Sequence, residues 1–223
     1  MKRMKLIGLS LLAIFALGAF AAATASAEEG FLPTPSTGTA LGGKSVLEST
    51  GKANITCASL DDSTITFEND KHGKATLHWL GCKGEGLFGV NSLGDKAEEI
   101  LAEVLFLVCL DPTNAAGTLI DNFGIIGEVV GKLHLEVPAV GQLQIVTGAA
   151  LGAILTTGKA KLWVIEFNGS AGAQTVTDCK QGTTTILHSL KTENNESGKT
   201  EAASELVVGG LLQFAAEVEL MDS

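Results

Sequence analysis

The 223-residue chain has no tyrosine, only four prolines and four cysteines, and no long apolar run beyond its N-terminal segment. Each scarcity removes a class of protein. Four prolines without a Gly-X-Y period exclude a collagen-like or proline-rich chain. Without a later run of about twenty apolar residues, no internal membrane span is expected. No C-x2-C pair occurs, so a zinc site or thiol redox motif has little basis. Beyond the N-terminal segment no Lys/Arg cluster occurs either, so nothing there offers a surface to phosphate backbones or anionic lipid heads. Nucleophile elbows of the G-x-S-x-G type are missing too, since Asn168-Gly169-Ser170-Ala171-Gly172 has its glycines at the wrong offsets. What remains is 45% hydrophobic and 18% charged, a globular balance that excludes wholesale disorder.

The N-terminus reads as a secretory signal peptide over 1–27. Lys2, Arg3 and Lys5 form the positive region, Leu6 to Ala23 the apolar region, and Ala25-Ser26-Ala27 the cleavage site. The mature chain is expected to start at Glu28 and to be released, as a secreted or cell-envelope protein. Removing three basic residues leaves 12 basic against 25 acidic side chains. That balance keeps an exported protein soluble and speaks against nucleic acid as a partner. Seven Phe and two Trp remain, mostly at inward strand positions, so a stacking platform for sugars is hard to build.

Cys57, Cys82, Cys109 and Cys179 make an even count, which in an exported chain favours two disulfides. Three pairings exist. Chain order, Cys57–Cys82 with Cys109–Cys179, is the expected one, and Cys82–Cys109 is its main competitor. In a simple meander Cys57 and Cys82 would end strands two spacings apart, about 10 Å, beyond disulfide reach. Their pairing therefore calls for the chain at Gly81 to curl over the sheet end, or for the middle strand to stop short.

Residues 28–43, with Pro33, Pro35 and a Ser/Thr/Gly cluster, read as a flexible spacer. From 44 to 223 alternation dominates. In Lys132-Leu133-His134-Leu135-Glu136-Val137 every second residue is apolar, and Ser63–Phe67, Gln142–Ile145 and Gln213–Leu220 repeat the pattern. Period two places one face in a core and the other in water, as antiparallel sheets allow. Gly-Lys steps, among them 43–44, 73–74, 131–132 and 158–159, are expected to open strands. Asn168-Gly169 has the chemistry of a hairpin turn between Lys159–Phe167 and Gln174–Cys179. The predicted fold is all-β, a single antiparallel sandwich or barrel domain over 44–223. Two segments stand apart, each open to a short helix: Asp95–Val104, of helix composition, which runs into Leu105–Leu110, read as a strand buried on both faces, and Val146–Leu155. Val146 to Leu155, small and apolar, is read as strand.

No chemistry rises above its surroundings. Gly38–Ser45 matches the phosphate-loop pattern G-x4-G-K-[ST] letter for letter, but no buried strand precedes it and no helix is expected after it. His78 and His134 alternate with apolar neighbours and should face outward, His72 sits in a polar turn, and His188 shares a strand with Ile186 and Leu190. Asp61-Asp62 and Glu68-Asn69-Asp70 read as solvated turns at opposite ends of one strand, unable to share an ion. Trp163 is read as core filler. No catalytic, cofactor or metal residue is assigned, and no cofactor is expected.

Ile55-Thr56-Cys57, Gly81-Cys82-Lys83 and the closing stretch Ala216 to Ser223 resemble features of uncharacterised exported proteins of soil actinobacteria. Asn91–Asp95 and Leu135-Glu136-Val137-Pro138 share the likeness. The resemblance implies export and cysteine pairing; that family carries no known activity, so no site residue transfers. The function expected is that of an exported non-enzymatic protein, binding or structural. The rivals are a secreted hydrolase with a spatially assembled site and a small-ligand carrier barrel whose cavity lies near 146–155.

Overall fold

The structure is a computed structural model that describes residues 36–50, 54–68, 72–114, 116–119, 123–170, 173–181, 184–187, 189–194 and 201–219. The export segment, residues 28–35 and His188 lie outside the described residues. In chain order the strands are β1 Ser36–Ser49, β2 Ile55–Cys57, β3 Ser59–Phe67, β4 His72–Leu80, β5 Lys83–Gly84, β6 Phe88–Gly89, β7 Asn91–Ser92, β8 Glu99–Asn114 and β9 Phe123–Val129. Then follow β10 Leu133–Val137, β11 Gln142–Ile154, β12 Lys159–Phe167, β13 Gly169–Ser170, β14 Ala173–Gln174, β15 Val176–Gln181, β16 Thr184–Leu187, β17 Leu190–Asn194 and β18 Glu201–Glu219. The described residues hold no helix, so none is long and apolar enough to cross a membrane.

The sheet closes on itself. From β18 it runs through β17, β11, β9, β8, β4 and β3 to β1, and β1 pairs back to β18, antiparallel at every step. Closure removes the open edges that a sandwich would leave. The seam beside β18 is shared: Glu201–Ser204 side with β17, and from Val208 onward the strand sides with β12. Between the two partners Leu206, opposite Leu47 of β1 on its other side, has no strand beside it on this side, and Gln174 takes that place. Its Nε2 donates to the Leu206 carbonyl at 2.9 Å, and the Leu206 N–H donates to its Oε1 at 3.0 Å. Beneath that seam a triangle of buried hydroxyls, Ser49, Thr192 and Ser204, ties β1, β17 and β18 together at 2.8–3.0 Å. At the opposite wall Ser92 bridges β7 to β8, accepting from the Leu101 N–H at 2.6 Å and donating to the Leu101 carbonyl at 3.3 Å.

Alternation carries the expected meaning over most of the barrel. Ile100, Ala102, Val104 and Phe106 point into the core while Glu103 and Leu105 are exposed. The same alternation overturns the helix expected at Asp95–Val104. Ile100 and Val104 lie on one side under either period, and the ladder from His72↔Leu107 to Leu80↔Glu99 selects the extended form. Double burial is confined to Val108–Leu110, where the β15–β16 hairpin covers the outside of the barrel; Leu105 is 48% exposed. The expected spacer is also corrected over Ser36–Gly43, which form β1 between β3 and β18. Its glycine content reflects packing rather than mobility. A Cβ on Gly38 would stand 3.0 Å from the Gln213 carbonyl oxygen and 3.1 Å from the Phe214 ring.

Turn chemistry is where local reading erred. Gly131-Lys132 and Gly158-Lys159 do precede β10 and β12, but Gly43-Lys44 forms an exposed bulge inside β1. Asn168-Gly169 does not join β12 to β15. It opens the small β13–β14 hairpin, and β15 pairs with β8.

Both disulfides follow chain order, Cys57–Cys82 and Cys109–Cys179. The first is closer than a meander allows. The pairs Leu60↔Trp79, Ser59↔Leu80, Thr56↔Lys83 and Ile55↔Gly84 share one register, so β2–β3 and β4–β5 are two continuous kinked strands. Cys57 and Cys82 stand directly opposite in that register, with Gly81 at φ 64° making the kink. The second bridge pins the β15–β16 hairpin to the outer wall over Ile126, Ala149, Leu151 and Ala153.

Candidate functional site

The inward side chains form two groups. One gathers around Phe67, Phe106, Ile125, Trp163 and Phe214; the other around Ile55, Cys82, Val90, Leu135 and Val146. A cavity of about 140 Å³, lined by members of both groups, lies inside the barrel. Close-packed interiors seldom keep voids larger than a water molecule, so a space of this size has to be built. Small inward residues build it: Ala40 on β1, Ala102 on β8, Gly127 on β9 and Ala150 on β11 all line it. Ala150 and Gly127 face each other directly across β11 and β9. One level of the wall therefore carries a methyl and a hydrogen where two large side chains would otherwise meet.

The wall is almost all carbon. No charged side chain lines it, and the polar groups among the lining side chains are the Ser45 hydroxyl and the indole N–H of Trp79. Trp79 Nε1 is buried without a hydrogen-bond partner among the described residues. Such a lining takes apolar molecules, because water admitted to it would find few partners. The rival reading as a carrier barrel expects a cavity near 146–155, and of that segment Val146 and Ala150 line this one. Gly152 serves packing instead: a Cβ there would come within 2.7 Å of the Glu166 carbonyl oxygen. Ala40, Ala102 and Gly127 were not singled out. Their signal, a small residue at an inward position, becomes readable when the strands are set in register.

On the outside of the barrel His78 lies between two carboxylates. Its Nε2 is 3.3 Å from Glu99 Oε2 and its Nδ1 3.8 Å from Asp61 Oδ2. Ser63 is nearby, which brings a Ser, a His and two acids into one neighbourhood. The hydroxyl is committed elsewhere. At the β3 bulge it accepts the His78 backbone N–H at 3.0 Å and donates to the Asp61 carbonyl at 3.0 Å, and Ser63 is 3% exposed. It repairs a broken ladder and offers no nucleophile to a substrate. Asp61 therefore belongs to a bulge within β3 rather than to a turn, while Glu68 is ion-paired with Lys74. His72 opens β4 rather than sitting in a turn. Among the described residues no group of three His, Cys, Asp or Glu is placed to hold a metal ion.

Gly38–Ser45, the phosphate-loop match, lies within β1 with ladders to both sides, and β1 continues to Ser49 without a helix. Its backbone N–H groups serve the sheet rather than forming an anion cradle. Trp163 is fully buried, edge-on to Phe214 with ring centroids 4.8 Å apart, and is core. No protein-family model, curated protein or solved structure matches this chain.

Proposed function

We propose that this chain is an exported, non-enzymatic binding protein that holds a small apolar molecule inside its barrel. The observation that carries the reading is the carbon-lined cavity of about 140 Å³. Apolar cavities of about 150 Å³ stay dry and take up benzene. Export rests on the N-terminal segment, and two disulfides suit an oxidising compartment. Kinship with exported actinobacterial proteins belongs to the same proposal. The outer surface agrees with a soluble carrier: Lys74, Thr76, Glu103, Lys159 and Glu217 are exposed while the lumen is apolar, the inverse of a membrane-spanning barrel. The acidic mature surface likewise disfavours nucleic acid.

The test is a thermal titration of the mature chain with benzene. At ten times the dissociation constant, a ligand bound by the folded state stabilises by about 1.4 kcal/mol. For a domain of this size that raises Tm by roughly 3–5 °C, and the rise continues with the logarithm of benzene concentration. A Tm that stays constant up to the solubility limit of benzene refutes the proposal.

A further inference from the structure

The cavity wall is not uniform, and its one aliphatic hydroxyl is placed by a backbone irregularity. Between Gly42 and Ser45 the register of β1 against β18 slips by one residue, at the exposed Gly43-Lys44 bulge. Before the slip Gly38 and Ala40 are buried; after it Ser45 and Ser49 are. Without the bulge, alternation would turn Lys44 inward; with it, Ser45 faces the lumen at 3% exposure and lines the cavity. The residues opposite Ser45 on either side are Cys57, held in its disulfide, and Val208. Neither supplies a strong hydrogen-bonding side chain to the Ser45 hydroxyl where it lines the cavity. A hydroxyl facing a carbon-lined lumen favours anything entering the cavity that carries an acceptor for it.

Resting on the reading of the cavity as the ligand site, we infer that its ligand is a neutral hydrocarbon bearing a single oxygen, bound with that oxygen at Ser45. Carboxylates and amines do not fit, because an ion would leave its hydration shell for a wall with no charged side chain. A cyclic ketone has the right chemistry: a carbon body for the wall and one acceptor for the Ser45 O–H.

The experiment compares cyclohexanone with methylenecyclohexane, which replaces the carbonyl oxygen by CH2 at nearly the same shape. Binding to the mature chain and its Ser45→Ala variant is read by displacement of benzene. Ser45→Ala should weaken cyclohexanone three- to tenfold and leave methylenecyclohexane within twofold. Ser45→Thr, which keeps the hydroxyl, should hold the ketone within twofold of the parent protein. Equal losses for both probes, or no loss for either, overturn the inference. So does a protein that binds benzene but neither probe. Failure of benzene itself refutes the cavity as a ligand site, a separate outcome read in the same titration.

Discussion

Filling the cavity should stabilise the protein. Ala150→Leu places three more carbons at an inward position that is 4% exposed and faces Gly127 across the sheet. Gly127 presents no side chain there, and a Cβ built on it would be in ordinary contact with Phe106 and Val104, both at 3.4 Å. Three carbons at ~0.8 kcal/mol each bring an upper gain of about 2.4 kcal/mol. Imperfect fit returns part of that, since overpacking alone costs ~1–3 kcal/mol. The expected net gain is about 1–2 kcal/mol, or a Tm rise of roughly 3–6 °C. Urea unfolding should show a higher midpoint at unchanged slope, which separates stability from a change in the unfolded state. The same variant should lose the rise in Tm on adding benzene. A fall in stability of ~1 kcal/mol or more would refute the reasoning, because it would mean that Ala150 already fills its space. A stabilised variant that still binds benzene would place the ligand elsewhere.

Replacing both cysteines of a pair by alanine tests the covalent frame. In the chain-entropy model, losing Cys109–Cys179, 70 residues apart, costs about 4.4 kcal/mol, and losing Cys57–Cys82, 25 apart, costs about 3.5 kcal/mol; denaturant unfolding gives the order, and the reverse order would discredit loop length as the cause. Gly152→Ala should destabilise by roughly 1–3 kcal/mol, because its Cβ would meet the Glu166 carbonyl at 2.7 Å and the Phe167 ring at 2.9 Å. Gly43→Ala, with nothing within 4 Å, should stay within about 0.5 kcal/mol in the same assay. N-terminal sequencing of protein recovered from culture medium should begin at Glu28; intact Met1 in a membrane fraction would contradict release.

Alternation was enough to read the all-β class from the sequence, because side chains on a strand point to opposite faces whatever the neighbouring strand is. It identified the stretches around Ile65, Leu135 and Phe214, and an even cysteine count with a Gly81 kink anticipated both disulfides. Local composition was less informative where two conformations share the same apolar positions. Asp95–Val104 satisfies a helix as well as a strand, and it became β8 because β4 offers it a full ladder. The Ser/Thr/Gly stretch at Ser36–Gly43 looked like a linker, yet its glycine at 38 makes room for Phe214. Register is a relation between strands far apart in the chain, so no single segment encodes it. Closure of β1 onto β18, the bulge that turns Ser45 inward and the level at which Ala150 meets Gly127 are all facts of register. The cavity exists because small residues from β1, β8, β9 and β11 arrive in one lumen, and the distances that bring them there are set by tertiary pairing alone.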